Sequence, residues 1–551
     1  MLMKNAIILL LLITACGPKK EGPNKFSDEK LITIYELQDR RDTKALLPLL
    51  KAKKESHRIA AAMAFASIQD TIAIPYLNQM LQIDQDPMPR RAAAFALGQI
   101  GSRKALGILI KAFDQELFPA NRRYVMEAIG KCGDSSTVKL FEENEYQDSA
   151  LQMGWAYGVF RLGQRGYTSD ILNKSMMNLL NDDNKDLAIL ASHYVYRGLR
   201  KSGDLVLVDS LIEVSRYTEV KDRLSLLKRN ELDGESKTEY YDIEWVKRKE
   251  NQNIRLAKKP HLMAQFIERL TPIINLHGKA YLLNNIRDSN IHPLIRNASF
   301  SKYCEVFPKE KWEAVILALE SGDIALQSLA AVETKKAAEI GIDWQNEDQY
   351  LKKDLVDNLL RIKSQLKLPQ QAETYIDICK AIEALGGVKF EGYKPPYNNP
   401  IDWAFVKTIP ADQRVIIETN KGNITLQLFV EDAPGTTSNF LKIVDSNFYD
   451  GKYFHRVVPQ FVVQGGCPRG DGWGSLDWTQ RSEFSNYQTY ETGTVGVASA
   501  GKDTEGVQFF ITHCPTPHLD GRYSIFARVV SGMDVVNKME VGDRMISIKR
   551  L

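Results

Sequence analysis

Three short stretches near the C-terminus carry residues whose types and spacing could do chemistry. They are YFHRVVPQFVVQGG (Tyr453–Gly466), GVASAGKDTEGVQFFIT (Gly496–Thr512) and PHLDGRYSIF (Pro517–Phe526). The run from Val457 to Val463 is rich in valine and phenylalanine, which predicts a strand of a packed sheet. Arg456 and Gln464 flank this run, so a charged side chain and an amide border an apolar surface.

The second stretch repeats that combination. Gln508 comes just before three apolar residues that predict another strand, and alternation along a strand places Gln508 and Phe510 on the same face. If the two strands are neighbours, one face carries a guanidinium, two amides and several aromatic rings around an apolar pocket. Such a face suits a ligand that is both apolar and amide-like.

In this order, the stretches resemble the cyclophilin family of peptidyl-prolyl isomerases. The resemblance runs from about Arg414 to Leu551, and five blocks carry it: VIIETNKGNITLQLF, APGTTSNFLKIVDSNFYDG, FHRVVPQFVVQGG, GVQFFIT and LDGRYSIFARVVSGMDVV. It implies a closed antiparallel β-barrel of eight strands with two capping helices.

The resemblance also implies a set of site residues. Arg456 matches the catalytic arginine, and we expect it to act with Gln464 and Phe461. The expected substrate-binding residues are the pocket wall, the second backbone-fixing amide, the edge that pairs with the substrate main chain, and two further side chains: Val462, Phe510, Leu519, Gln508, Ala498, Ser499, His518 and Tyr523.

Four of these positions depart from the best-known eukaryotic pattern. Val462 stands where methionine is usual, Ser499 replaces an asparagine, and His518 with Tyr523 replaces a tryptophan and a histidine. The pocket stays apolar, so we expect turnover to survive and cyclosporin binding to weaken.

The implied reaction transfers no group, so we expect no cofactor. His455, His513 and His518, with Cys467 and Cys514 nearby in sequence, form no recognised metal-ligand spacing, and we expect no metal. A bond between Cys467 and Cys514 is an open alternative. The competing function is an envelope scaffold or binding protein whose barrel recognises proline-containing segments with little catalytic role.

The N-terminus indicates export. Residues 1–16 read MLMKNAIILLLLITAC, with one lysine before an apolar run that is too short to span a bilayer. The final residues resemble the bacterial lipoprotein box, which implies cleavage after residue 15 and lipidation of Cys16. A plain signal peptide and a short transmembrane anchor are the alternatives. We expect a lipid-anchored protein of the bacterial cell envelope, in the outer membrane and facing the periplasm.

Helical repeats follow. HRIAAAMAFASIQD, PRRAAAFALGQIGS and NRRYVMEAIGKCGD place Arg58, Arg90 and Arg122 in register, 32 residues apart, which indicates a repeat array. The units resemble HEAT repeats, whose surfaces commonly bind protein. The arginines form either a basic stripe for acidic ligands or structural bonds to the next repeat, and the array itself is either a partner-binding surface or a spacer.

These patterns predict a multidomain chain. We expect a signal peptide at 1–15, a lipidated cysteine and tether at 16–26, an all-α HEAT-like solenoid at 27–387, a proline-rich linker at 388–412 and the isomerase domain at 413–551. A separate helical domain at 240–387 is the alternative to one continuous solenoid. Trp403 and Phe405 are too apolar for a free tether and should dock on one of the domains.

Composition bounds the partners. The chain has 72 Lys and Arg against 69 Asp and Glu, a net charge of +3, and this balance gives no sign of a nucleic-acid partner. We expect proline-containing polypeptides as substrates, protein partners on the helical repeats, and a membrane reached through the lipid anchor.

Overall fold

The computed structural model describes residues 23–144, 148–202, 205–232, 260–270, 276–340 and 349–551. An all-helical region comes first and an antiparallel sheet follows it. The helices of the first region are α1 Glu29–Asp39, α2 Thr43–Leu46, α3 Glu55–Ile68, α4 Ile74–Ile83, α5 Pro87–Ile100, α6 Leu106–Gln115, α7 Pro119–Cys132, α8 Ser135–Glu142, α9 Ser149–Gln164, α10 Asp170–Asn178, α11 Lys185–Ser202, α12 Leu205–Val214, α13 Thr218–Leu232, α14 Pro260–Glu268, α15 Leu276–Arg287, α16 Pro293–Val306, α17 Lys311–Glu320, α18 Ile324–Ile340, α19 Gln349–Gln365 and α20 Ala372–Ala384. Within the described ranges, no helix combines the length and the apolar character needed to cross a bilayer.

The repeat helices α3, α5 and α7 are each 14 residues long and stack side by side through buried alanines. Small side chains let the helix backbones approach closely, as the sequence predicts. The arginines in register are structural. Arg58 binds Asp84 at 2.7 and 2.9 Å, Arg90 binds Glu116 at 2.8 and 2.9 Å, and the Arg122 guanidinium lies 4.4 Å from the Phe113 ring centre.

The helical region has two hydrophobic cores. The first runs from Phe26 to Leu227, and the second from Met263 to Leu385. The stretch 233–259, which links them in sequence, lies outside the described residues, as do the signal peptide and Cys16. The predicted domain boundaries, and the alternative of a separate domain at 240–387, stay predictions.

The isomerase region is one eight-stranded antiparallel sheet with three short helices around it. Its strands are β1 Arg414–Thr419, β2 Gly422–Leu428, β3 Phe454–Val458, β4 Val462–Gly465, β5 Thr494–Val497, β6 Phe509–Thr512, β7 Ile525–Ser531 and β8 Met545–Arg550. Its helices are α21 Trp403–Val406, α22 Pro434–Asp445 and α23 Met533–Val536. The strand order is β3-β4-β6-β5-β7-β2-β1-β8.

The expected eight antiparallel strands are present, but the ladder does not close into a full barrel. β3 and β8 are the two ends of the sheet, and a single isolated bridge between Tyr453 and Arg544 joins them. The sheet is therefore a curled, open half-barrel. Its two ends meet where β3 begins, and there Phe454 N donates to Asp543 O at 2.8 Å.

We expected one strand from Val457 to Val463. The structure instead has the hairpin between β3 and β4 there. Phe461 N donates to Val458 O at 3.1 Å across a tight turn, and Gln460 has a φ of 56°. Proline followed by a residue of positive φ is the arrangement of a type II turn. Pro459, in the middle of the run, is the signal for this break, since proline is excluded from central strand positions.

The linker docks on both regions rather than on one. The Trp403 ring lies 5.2 Å from Phe26, in the first helical core, whereas Phe405 packs against the core of the sheet. Asn24, at the start of the described chain, donates to Val406 O at 2.7 Å and Ile409 O at 2.8 Å. The linker thereby fixes the isomerase region against the helices.

The inner side of the helical array contacts the loops of the isomerase region, repeat by repeat. Four hydrogen bonds in chain order mark the path: Ser67 with Phe484 N at 3.2 Å, Arg91 with Asn486 O at 2.6 Å, Gln99 with Gly521 O at 2.8 Å and Arg161 with Pro517 O at 3.0 Å. The array thus holds several loops of the isomerase region, including the one that carries Leu519.

Candidate active site

Strand register brings the predicted polar residues together. Arg456 on β3 is paired with Gln464 on β4, and Gln464 is paired with Phe510 on β6. Gln508 precedes β6 and shares the groove with Phe510, as alternation predicts. Residues from two separate stretches of sequence therefore meet on one surface.

A chain of polar contacts crosses this surface. Arg456 Nη1 donates to Gln464 Oε1 at 3.5 Å, and Gln464 Nε2 donates to Gln508 Oε1 at 3.1 Å. Gln508 Nε2 then donates to the carbonyl oxygens of Gly472 at 2.6 Å and Gly474 at 2.9 Å. Each amide is held by its neighbour, so the row is oriented before a ligand arrives.

An apolar pocket adjoins the row. Val462, Phe510, Leu519 and Ile525 are buried together, and Phe461, Ala498 and Tyr523 pack against them from the groove side. The Tyr490 ring stacks on Phe510 at 5.5 Å, and the Tyr523 ring meets Phe510 edge-on at 5.7 Å. The pocket is therefore an apolar cleft lined largely by aromatic rings.

Ten of the eleven predicted site residues in the isomerase region line one groove with a volume of about 570 Å³. They are Arg456, Phe461, Val462, Gln464, Ala498, Ser499, Gln508, Phe510, Leu519 and Tyr523. The eleventh, His518, stacks behind the pocket wall on Phe461, with ring centres 5.3 Å apart. The ring of His193, from α11, lies 5.5 Å from His518 on the other side.

A glycine-rich loop between Gly466 and Trp478 borders the groove through residues 471–475. Sequence reasoning missed the wall opposite, which belongs to the helical region. Residues 369–374, at the start of α20, line the same groove, and Gln370 Nε2 donates to Ser475 O at 3.2 Å. No motif marks this contact, because it depends on how the two regions dock.

The groove lowers the pKa of two of its basic groups, Arg456 and His455. Desolvation lowers the pKa of the Arg456 guanidinium from its ordinary value, and nearby Tyr523 opposes this effect. A guanidinium starts so far above neutrality that it stays charged. Burial lowers the pKa of His455 to about 4, so this imidazole is neutral at pH 7.

Across the described residues, no cluster of three or more His, Cys, Asp or Glu side chains could hold a metal ion. Cys467 and Cys514 are both free thiols and have different surroundings. The Cys467 sulfur accepts from Gly472 N and Gly474 N, both at 3.3 Å, whereas Arg223 of α13 donates to the Cys514 sulfur at 3.1 Å. The structure therefore gives no disulfide between them.

Comparison with known proteins matches two parts of the chain. Residues 414–548 match the model of the cyclophilin type peptidyl-prolyl cis-trans isomerase family, and residues 43–130 match the model of HEAT repeats. A solved cyclophilin type isomerase from Cryptosporidium parvum aligns with 29% identity over 25% of this chain and 97% of its own, with a TM-score of 0.25.

Two curated relatives span the same region. Peptidyl-prolyl cis-trans isomerase B of Bacillus subtilis is 47% identical over 127 residues, which are 23% of this chain and 89% of that protein. A peptidyl-prolyl cis-trans isomerase of Synechococcus elongatus is 45% identical over 138 residues, which are 25% of this chain and 94% of that protein. The arginine, the amide row and the aromatic pocket thus lie in a domain shared along nearly its whole length, and the chain belongs to the cyclophilin-type peptidyl-prolyl cis-trans isomerases, with HEAT repeats ahead of the isomerase domain.

Proposed function

We propose that this isomerase is lipid-anchored in the bacterial cell envelope, where it speeds the folding of exported proteins by rotating their X-Pro bonds. The observation that carries the catalytic part is the row Arg456–Gln464–Gln508 beside the aromatic pocket. The lipoprotein-like N-terminus, with Cys16 as the lipidated residue, supports the anchor and the compartment.

The chemistry needs a donor that acts only on the twisted bond. Rotation about X-Pro is slow, with a barrier of about 18–20 kcal/mol, because the nitrogen lone pair is delocalised into the carbonyl group. In the twisted state the lone pair returns to nitrogen and accepts a hydrogen bond. Arg456 donates there, and this interaction accelerates the reaction because the planar states lack the acceptor.

The other groove residues hold the substrate for that step. Gln464 accepts from Arg456 and aims its guanidinium, while Gln464 and Gln508 offer amide groups to the substrate backbone. Phe461, Phe510 and Leu519 grip the proline ring and exclude water, which strengthens the hydrogen bond to nitrogen. Ala498 and Ser499 provide the edge along which the substrate main chain lies.

We further propose that the HEAT repeats recruit partner or client proteins through surfaces other than the one that holds the isomerase domain. Large apolar side chains are exposed where two successive repeat units end, including Ile83 at 66% and Leu117 at 88% exposure. Exposed apolar residues grouped at such ends suit a protein partner.

Turnover and cellular role are tested with one pair of proteins. We expect wild type lacking residues 1–16 to isomerise a panel of X-Pro peptides, and Arg456→Ala to lose turnover while retaining peptide binding. In cells, Arg456→Ala should fail to replace wild type. Full replacement by this inactive variant would instead establish the binding or scaffold role, in which the domain recognises proline segments without needing turnover.

The anchor is tested separately. Full-length wild type grown with radiolabelled palmitate should carry the label and sediment with membranes, whereas Cys16→Ser should carry none. Label on the Cys16→Ser variant, or wild type found only in the soluble fraction, would contradict the lipid anchor.

A further inference from the structure

The far end of the substrate groove is built by the helical region. Residues 369–374 face the glycine-rich loop, and Gln370 Nε2 donates to Ser475 O of that loop at 3.2 Å. A second contact ties the start of α18 to the same loop, where Arg469 Nη2 donates to Asp323 Oδ2 at 2.9 Å. The groove therefore has a wall that the isomerase domain alone would lack.

One charged side chain of this wall points into the groove. Glu373, in the first turn of α20, lines the groove and its side chain is exposed there. Among the residues that the structure describes, none forms a hydrogen bond or a salt bridge with its carboxylate. Its acidic neighbours do have partners, since Asp377 accepts from Ser328 Oγ at 2.5 Å and Asp471 pairs with Arg469 at 2.8 Å.

The surroundings of Glu373 favour a cation beside it. Desolvation by the groove walls, followed by the like charges of Asp377 and Asp471, raises the pKa of Glu373 to about 7, although Lys380 opposes the shift. Solvent reaches the Glu373 side chain, but the groove walls surround it, so its carboxylate is less fully hydrated than one on an open surface. A positively charged ligand group would offset both the desolvation of the carboxylate and its repulsion by Asp377 and Asp471.

The polar row shows where this carboxylate lies relative to the proline pocket. Successive contacts run from Phe461 to Arg456, Gln464, Gln508, the Gly472 and Gly474 carbonyls, and finally Ser475 and Gln370. An extended peptide advances about 3.3 Å per residue. A substrate with proline in the pocket that continues along this row brings a nearby side chain to Glu373.

We propose that Glu373 makes this isomerase selective for polypeptides that carry a lysine or arginine close to the isomerised proline. The helical region thus contributes a specificity residue to the active groove, in addition to holding the isomerase domain. The proposal rests on the assignment of turnover to the Arg456 groove.

The test measures substrate preference with full-length protein lacking residues 1–16. Peptides place lysine, norleucine or glutamate at each of three positions on either side of proline, and two-dimensional exchange NMR gives kcat/KM without a coupling protease. We expect lysine to be favoured over norleucine about fivefold at one or more positions on one side of proline, the size of a single ion pair. Glu373→Gln should remove this preference, and Glu373→Lys should transfer it to glutamate.

Glu383→Gln is the matched control, because Glu383 lies on the same helix, is exposed, and does not line the groove. It should keep the full lysine preference. Circular dichroism and thermal melting of each variant check that the fold is intact. A wild type that turns over the norleucine peptides with no charge preference, or a preference that survives Glu373→Gln, would overturn the proposal. A wild type that turns over none of the peptides would instead contradict the assignment of the groove.

A pH profile adds a readout that a purely structural role would not move. The charged and titratable groups around Glu373 are Asp377 and Lys380 on its own helix, Asp471 and Arg469 on the glycine-rich loop, and His455 and Arg456 on β3. We expect the lysine preference of wild type to grow from pH 6 to pH 8, as Glu373 ionises. The profile should be flat in Glu373→Gln; the same rise in that variant would assign it to another group and contradict the proposal.

Discussion

Arg456 contacts both the polar row and the aromatic side chains of the groove. Its guanidinium lies 3.5 Å from Gln464 Oε1 and 5.6 Å from the centre of the Phe461 ring. One edge of the planar group is thereby held by an amide and its face by an aromatic ring, which leaves the remaining N–H groups for the substrate. This arrangement depends on the shape of the guanidinium as well as on its charge.

Replacing Arg456 by lysine tests that dependence on shape. An ammonium keeps the charge but loses the fork that contacts Gln464 and the substrate nitrogen together, so kcat/KM should fall by about 10- to 100-fold, the equivalent of one charge-assisted hydrogen bond. Arg528→Lys is the matched control, because Arg528 is exposed on β7 and binds Gln427, outside the groove. Equal activity of Arg456→Lys and wild type would show that charge alone suffices.

Glu505 is a buried acid with a different role. It is fully buried, and its Oε1 accepts from the hydroxyl of Ser524 at 2.8 Å, while Oε2 has no protein partner among the described residues. Burial raises the pKa of Glu505 to about 8, and Glu483 adds to this effect. The folded state therefore holds a proton that the unfolded state, with a pKa of about 4.3, releases.

Glu505→Gln should change how stability depends on pH. Because the folded pKa is raised, the contribution of Glu505 is fully present below about pH 4 and is lost as pH rises toward 8, by up to about 1.4 kcal/mol per pH unit. Glutamine does not titrate, so urea unfolding of wild type and variant should diverge between pH 5 and pH 8, with wild type losing stability relative to the variant. Glu540→Gln, at an exposed position, should parallel wild type; parallel curves for Glu505→Gln would contradict the assignment.

At the scale of elements, repeat helices approach one another closely at some glycines, because glycine has no side chain to keep the backbones apart. A Cβ atom on Gly130 of α7 would lie 2.2 Å from Gly158 O of α9, whereas a Cβ on Gly107 of α6 would meet no atom within 4 Å. The same residue type thus occupies a tight helix crossing in one place and an open helix surface in the other.

These two glycines predict opposite effects of alanine. Gly130→Ala forces α7 and α9 apart and should lower the free energy of unfolding by about 1–3 kcal/mol. Gly107→Ala fills empty space in a helix and should raise it by about 0.5–1 kcal/mol, because alanine loses less backbone entropy on folding. Chemical denaturation of both variants checks the signs, and a stabilised Gly130→Ala would contradict the close approach.

The elements also show which parts of the fold the sequence could predict. The 32-residue spacing indicated the repeats. Arg58 and Arg90 bind acids at the end of the following helix and Arg122 lies on the Phe113 ring, in line with the structural one of the two interpretations. The hairpin at Pro459 was missed because the valine-rich run on both sides predicted a strand and the turn signal of the single proline was given less weight. Closure of the barrel was expected by resemblance, but the ladder between β3 and β8 is limited to one bridge.

On the scale of the whole molecule, the residues that line the groove from the isomerase domain were predictable because short motifs carry them. The helical wall was not, since Gln370 and Ser475 are 105 residues apart and neither lies in a recognisable motif. Likewise, no pattern links Arg161 of α9 to the loop before β7. Such contacts depend on the docking of two finished folds, which local sequence does not encode.

Arg161 makes a buried charged contact between the two regions. Its side chain is 4% exposed, pairs with Glu127 at 2.8 Å, donates to Pro517 O at 3.0 Å and lies 4.0 Å from Asp520. Burial alone would raise the pKa of Glu127, but Lys131 and Arg161 hold it at about 2; burial raises the pKa of Asp520 to about 7. A buried cation between two acids joins the helical array to the loop that carries Leu519.

Removing this cation should loosen the whole assembly. Arg161→Met keeps most of the volume but removes the nearest cation of Asp520 and leaves Glu127 with Lys131 alone, which should cost about 3 kcal/mol. We expect faster hydrogen exchange in residues 515–523 and a higher KM, because Leu519 of the proline pocket lies in that loop. Arg103→Met is the control: Arg103 is 73% exposed and pairs with Asp134 at 2.9 Å, so its loss should cost less than about 1 kcal/mol. If both variants exchange and bind alike, the helical array does not support the groove, and the two regions act independently.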